Sequence, residues 1–383
     1  MFAWNADGTY LCTSGANGIV HIFDRHGAEV VELQLESRAQ CLAIDWDKDG
    51  ECVAILQTGV DRVAVWELAT RSVMYIDTGL KVPSFLKWSK TGPQLAIGAS
   101  KGGLVIYRKD NRKKLPIAGK HSSAITCGDW SRDNTLALGG ADSLLTLSTA
   151  DGDTIEQTEL KYVPLSIQFA TQKTDARLPR GSDPGAQPDT TVSVNMGGKT
   201  ILLYNRADPD HPVELAFQAK YGRIVRYVWF GDGYLLIGFS EGWVVVISTH
   251  LREIGEELFS GRFHKDALDD ISCSVAAQRA ATAGGGMIKL IDMQGWKEQK
   301  SEWVSYYFER GRALAPCWKI IFSPVVSSLV VGCTCCLQRS SRCHHAALRV
   351  LQASVDPAHG AIETLSWTSD GQLLTAATRS GHL

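Results

Sequence analysis

The chain carries no surplus of either charge, no apolar leader and no apolar run long enough to cross a bilayer. Its 39 Lys and Arg against 41 Asp and Glu leave a net charge of −2 over 383 residues, which gives no argument for nucleic acid as a partner. The start, Met1-Phe2-Ala3-Trp4-Asn5, lacks the basic and apolar regions of a secretory signal. The longest apolar run, around Ile320 to Val331, is broken by Pro324 and is too short for a spanning helix. Catalytic signatures are missing as well: no nucleophile elbow, P-loop or GxGxxG stands between a strand and a helix. The glycine run Gly284-Gly285-Gly286 reads as a turn joining strands. The expectation is a soluble intracellular protein with no catalytic residue, no cofactor, no metal and no small-molecule substrate.

What is present is repetition. From Cys41 to Glu67, three apolar runs of four to six residues are separated by polar turns, the first being Asp47-Lys48-Asp49-Gly50. Asp offers local backbone hydrogen bonds and Gly a positive φ, so the stretch reads as a three-stranded meander. Trp4, Trp46, Trp88 and Trp130 recur at one phase, each 42 residues after the last. A period near 40–45 residues with several strands per unit is the mark of an all-β, WD40-type β-propeller. Seven blades are expected, with eight the alternative.

Units follow in order, with Phe169, Trp229, Cys273 and Trp367 continuing the Trp phase. Residues 1–303 are read as blades one to seven. Thr171 to Asp189, rich in Pro, Gly, Asp and Arg, is expected to be a disordered loop inserted in the fifth unit. Residues 353–383 begin a further blade that stops short. Because both ends look cut, the ring is expected to close incompletely.

Residues 304–352 break the rhythm. Cys12, Cys41, Cys52, Cys127 and Cys273 sit in or beside expected strands as reduced, buried hydrophobes, whereas the other five of the ten cysteines crowd between Cys317 and Cys343. From Arg310 to Val355 there is no Asp or Glu. Val304-Ser305 and Leu351-Gln352 can be encoded by sequences resembling a splice donor and acceptor. Removing the 49 residues between those limits restores a repeat of 45. Translated intron is therefore the first reading of this Cys-rich, irregular segment, and a genuine insertion the second. A zinc site built from Cys333, Cys336, Cys343 and His344 comes last, because the spacing matches no established pattern.

Other motifs have plain readings. Asp45 to Gly50 opens like a calcium loop, but position twelve is Leu56 where a bidentate Glu is required, so a turn is expected. His121 and His264 precede the first strands of units four and seven and read as structural, with Asp142 the fitting partner of His121. Trp4, Trp46, Trp88, Trp130 and Trp229 read as packing between blades. The basic run Lys109 to Lys114 offers Arg112, Lys113 and Lys114 as a contact for an acidic partner or for an anionic membrane met peripherally.

Particular strings go beyond a generic propeller. Val20-His21-Ile22-Phe23-Asp24-Arg25-His26-Gly27, Ile44-Asp45-Trp46-Asp47-Lys48-Asp49-Gly50, Leu136-Ala137-Leu138-Gly139-Gly140 and Val245-Val246-Ile247-Ser248-Thr249-His250 together resemble the N-terminal WD-repeat propellers of the 144-kDa subunits of intraflagellar transport complex A. The likeness covers Phe2 to Asp292 and resumes at Ile362. It implies a non-enzymatic scaffold of the cilium and ciliary base, on the cytoplasmic side, supporting retrograde transport and ciliary entry of membrane cargo. The implied partners are other subunits of that complex and adaptors for ciliary membrane cargo. A vesicle-coat propeller subunit is one alternative. A ubiquitin-ligase substrate receptor is another, weakened because Phe23-Asp24-Arg25 lacks the Trp-Asp-x-Arg pattern.

Overall fold

Short runs of aliphatic and β-branched residues closed by Asp- and Gly-bearing turns become strands throughout, as their period dictates. The computed structural model describes residues 1–15, 17–170, 189–250, 252–293, 318–322, 328–333, 350–354 and 362–378. Its strands pair antiparallel into four-stranded sheets, the blades of a WD40-type β-propeller. The second sheet is typical: Cys41–Trp46, Cys52–Gln57, Arg62–Glu67 and Ser72–Asp77 meander outward in sequence order. Its first turn holds Gly50 at φ 70°, and Asp47 Oδ1 accepts the N–H groups of Glu51 (2.8 Å) and Cys52 (2.9 Å). The calcium-like opening is thus a capped turn.

Seven sheets take their first three strands consecutively from the sequence. The seventh is completed by Val350–Ser354 pairing with Met287–Asp292. An eighth sheet joins Ile362–Trp367 and Leu373–Thr378 to a hairpin of Trp318–Phe322 and Ser328–Cys333. The stretch 304–352, expected to be irregular, therefore contributes strands. Its runs Trp-Lys-Ile-Ile-Phe and Ser-Leu-Val-Val-Gly-Cys satisfy the strand pattern, and the lack of acids around them drew the reading elsewhere. Of the zinc candidates, Cys333 ends the strand Ser328–Cys333, while Cys336, Cys343 and His344, like the loop 171–188, lie outside the described residues. Asp189, read as the end of that loop, is instead buried and accepts Arg132 N–H at 2.7 Å.

Two compact units divide the chain. The first, Met1–Phe23 with Glu29–Phe217 and His250–Arg252, holds five sheets whose first strands lie side by side. The second, Asp24–Ala28 with Gln218–Thr249 and Glu253–Leu383, aligns Ile224–Phe230, Leu268–Ser274 and Ile362–Trp367 in the same way. Second strands such as Cys52–Gln57 and Gln94–Ala99 are buried at every residue, so they read as continuous apolar runs. Outer strands such as Thr154–Glu159 alternate with solvent. The core is the set of interfaces between sheets; one joins Cys12, Val20, Ile22 and Leu33 of the first sheet to Trp46, Val53, Ile55 and Trp66 of the second.

These interfaces explain the Leu-x-Ile-Gly run in two second strands, Leu95 to Gly98 and Leu235 to Gly238. A Cβ on Gly98 would stand 2.8 Å from Ile125 Cβ, on the next sheet's first strand, and one on Gly238 would stand 2.4 Å from Leu268 Cδ2 and 2.6 Å from Ile271 Cγ2. Adding a methyl group at Gly98 must push a β-carbon fixed to backbone. Gly98→Ala is expected to destabilise the protein by about 1–3 kcal/mol, measured by urea denaturation; an unchanged midpoint would show that the sheets are not in close register there.

Candidate interaction surface

At the Trp phase, Trp4, Trp46, Trp88, Trp130 and Trp367 stand at the last position of their first strands, where the chain turns back, and Phe169, Trp229 and Cys273 one residue before it. Trp46, Trp88 and Trp130 are buried, while Trp4 and Trp229 are half-buried. In the sixth sheet the strand runs one residue further, and Phe230 is buried beside the half-buried Trp229. Indole N–H groups join sheets: Trp46 Nε1 donates to Ala3 O and Trp130 Nε1 to Lys87 O, both at 3.0 Å. Trp88 Nε1 has no partner among the described residues.

Carboxylates bind across the same interfaces, a role no sequence pattern had given them. Asp45 Oδ2 accepts Trp88 N–H (2.7 Å) while Oδ1 takes Lys87 Nζ (2.8 Å). Asp129 accepts Phe169 N–H (2.9 Å) and Lys90 Nζ (2.6 Å). In the second unit, Asp270 accepts Leu365 N–H (2.6 Å), and Arg226 Nη1 lies against both of its carboxylate oxygens (3.0 and 2.7 Å). Coulombic attraction to Asp45 holds the Lys87 ammonium above its ordinary pKa despite burial. At the turns, Lys109 Nζ reaches Glu51 (2.9 Å) and, more closely, Asp47, and Arg206 forks onto Asp133 (2.9 and 3.0 Å). In the second unit Arg25 meets Asp370 at 2.8 Å.

His121 lies against Asp142, Nδ1 to Oδ1 3.0 Å, and its Nε2 is 3.2 Å from Thr146 Oγ1. Burial raises the Asp142 pKa, but the His121 bond and the Ser122 N–H outweigh it and hold the carboxyl below its ordinary value. His264 Nδ1 donates to Gly284 O (3.0 Å) and Nε2 accepts from Thr282 Oγ1 (2.9 Å), the pattern of a neutral ring. Burial first, then the Lys289 ammonium, push its pKa down to about 4. In the basic run, Lys114 Nζ is tied to Asp77 O at 2.7 Å, whereas Arg112 and Lys113 extend into solvent.

A further group escaped the sequence reading. A register shift follows the first residue of the first strand in sheet after sheet: Cys41/Ala43, Ile125/Cys127 and Pro164/Ser166 in the first unit, Ile224/Arg226 and Leu268/Asp270 in the second. Each is a β-bulge that turns the skipped residue outward. Leu42, Leu165 and Val225 are consequently 40%, 48% and 37% exposed. The available signal was an apolar residue directly following a buried one, out of phase with the alternation.

Trp88→Ala should cost about 3–5 kcal/mol, read as a fall in melting temperature; an unchanged melt would place the indole at the surface. The His264 pKa falls from 6.5 to about 4 on folding, so the unfolded chain binds the proton more readily. Stability should thus decline as pH drops from about 6.5 to about 4, by at most about 3 kcal/mol. Gln at position 264 can keep both hydrogen bonds without titrating. Chemical denaturation across that range should show a flatter decline for His264→Gln, and identical slopes would exclude this histidine as the source.

Comparison with known proteins follows this geometry. The family model for the WDR19 first beta-propeller matches residues 1–313. WD repeat-containing protein 19 of Mus musculus is 37% identical over 385 residues, covering 100% of this chain and 24% of its own length. WD repeat-containing protein dyf-2 of Caenorhabditis elegans is 30% identical over 294 residues, covering 76% of this chain and 20% of its own length. The chain therefore spans about a quarter of the length of the curated relatives it matches. The crystal structure of Saccharomyces cerevisiae Sqt1 superimposes with a TM-score of 0.64 over 78% of this chain and 83% of that one at 12% identity, a likeness of fold alone. With the family pattern matched over most of its length and its sheets arranged as blades, the chain belongs to the family of the WDR19 first β-propeller.

Proposed function

We propose that this propeller serves a non-enzymatic scaffold subunit of intraflagellar transport complex A, acting at the cilium and ciliary base in retrograde transport and in ciliary entry of membrane cargo. The observation that carries the reading is identity along the whole chain to WD repeat-containing protein 19. The chemistry of the blades supports it. The half-buried carboxylate Asp45 and the buried Asp129 and Asp270 are bound by backbone N–H groups and cations of adjoining strands, and His121 and His264 have both ring nitrogens engaged. Groups saturated in this way hold a scaffold rigid and leave binding to the surface residues between them.

Other subunits of the complex and adaptors for membrane cargo are the partners this reading names. Affinity purification of the tagged full-length protein from ciliated cells should recover other complex A subunits. A purification that returns none of them, from cells in which the complex is intact, removes the reading. Arg112 and Lys113 are the exposed cations proposed to meet an anionic membrane peripherally. Their joint reversal to Glu should abolish sedimentation with phosphatidylserine vesicles at low salt, and unchanged sedimentation would dismiss that contact.

A further inference from the structure

Two groups of three converging carboxylate or imidazole donors occur among the described residues, and they are answered differently. At the first turn of the second sheet, Asp47, Asp49 and Glu51 come together, and Lys109 Nζ lies on Asp47 and Glu51. In the first sheet, His21, Glu29 and Glu32 bring one imidazole nitrogen and two carboxylate oxygens within 4.8 Å of one another. Glu29 meets the His21 ring, and neither carboxylate pairs with a lysine or arginine among the described residues.

The backbone builds this second group. In the strands Val20–Asp24 and Glu29–Leu33, His21 stands opposite Glu32 and Phe23 opposite Glu29, with a register shift between Ile22 and Phe23. Residues three apart on a regular strand face opposite ways. The shift drops Val30 from the ladder as a bulge. Glu29 and Glu32 therefore share the face of His21, while Val20, Ile22 and Leu33 pack toward the second sheet.

The imidazole is held and the carboxylates are solvated. His21 is 9% exposed and stacks on the buried Phe23 with 6.0 Å between ring centroids. Its Nδ1 stands 2.8 Å from Glu29 Oε1. Glu29 and Glu32 are exposed, and Gln34 Nε2 donates to Glu32 Oε1 at 3.3 Å. Two ligands of a tetrahedral zinc ion stand about 3.3 Å apart, so the ring and Glu29 need to open by only about half an ångström.

We propose that His21, Glu29 and Glu32 bind a zinc ion that clamps the outer strand of the first sheet to its neighbour. A proton on the imidazole answers one carboxylate and leaves the other unmatched, whereas a divalent ion bound to the neutral ring answers both. The imidazole selects zinc over calcium or magnesium, which prefer oxygen ligands throughout. Three protein ligands leave a fourth position to water on the exposed side. Spacing along the chain gave no metal, because these donors are joined by strand register and a bulge. The clamp concerns one sheet and is independent of the scaffold reading above.

The test is equilibrium dialysis of the purified full-length chain, stripped of metal by a chelator, against micromolar free zinc, with bound zinc counted by elemental analysis. Wild type should hold one more zinc per chain than His21→Gln or Glu32→Gln. His211→Gln, at an exposed histidine outside the group, should hold as much as wild type. All four chains share the cysteines between Cys317 and Cys343, so zinc taken there cancels in the comparison. Calorimetric titration should show the site weakened at least about tenfold in each of the first two variants. Zinc should also raise the melting temperature of wild type more than that of Glu32→Gln. Because Glu32 is exposed, its Gln variant keeps the comparison sound where His21→Gln fails to fold. Equal zinc counts in wild type and Glu32→Gln would overturn the proposal. So would zinc X-ray absorption showing sulfur, rather than nitrogen and oxygen alone, around the additional ion. Co-purification with ciliary proteins reads neither quantity, so failure there and failure here are separate results.

Discussion

One peptide group shows what the first unit depends on. The amide joining Lys87 to Trp88 gives its N–H to Asp45 on the sheet before, at 2.7 Å, and its C=O receives the Trp130 indole from the sheet after, at 3.0 Å. The end of a first strand is thereby held from both sides by its neighbours. A carboxylate placed between two sheets would ordinarily carry a large desolvation penalty. Here a backbone donor and the Lys87 ammonium offset it. Removing Asp45 would strand both at once, which is why this contact outweighs any exposed ion pair at the rim.

The rest of the architecture follows from sheets that touch only their neighbours. Each interface needs a flat apolar match, supplied by second strands buried on both faces, and a place for the next first strand to come close, supplied by Gly98 and Gly238. Stability in such an array is a sum over nearest-neighbour contacts. The turn latches repeat the logic with cheaper parts: Lys109 on Asp47 and Glu51, Arg206 on Asp133. Those are partly solvated and hold turns in register more than they add free energy.

Much of this was legible from the residues, for a physical reason. Trp46, Trp88 and Trp130 recur because the end of a first strand meets the same neighbours in each sheet, so one side chain solves the same problem repeatedly. The pairing of His121 with Asp142 could be read from their places either side of a strand hairpin. Less legible were features that depend on a neighbour's geometry. Nothing in Asp45-Trp46 says that the carboxylate serves Trp88 rather than a cation in its own turn. In the sixth sheet no histidine precedes the first strand. Tyr221 is buried there instead, its hydroxyl on Glu257 at 2.8 Å and its ring packed with Phe239 and Trp243, a substitution of one polar aromatic for another that no motif records. The bulges were hidden because a strand pattern assumes an unbroken alternation, which the second residue of these strands violates.

That violation bears on function. A packed interface tolerates no surplus group, so a side chain expelled from the ladder must face solvent, and what stands there is free to vary. Where the expelled residue is Thr126, or Ser84 at the matching register shift of the third sheet between Pro83 and Phe85, its hydroxyl folds back onto an adjacent carbonyl and the position is closed. Where it is Leu42 or Leu165, nothing in the unit's own packing calls for an apolar group, and water is a poor neighbour for one. The same fold thus offers both choices at equivalent positions, an exposed aliphatic side chain in one sheet and a satisfied hydroxyl in its neighbour.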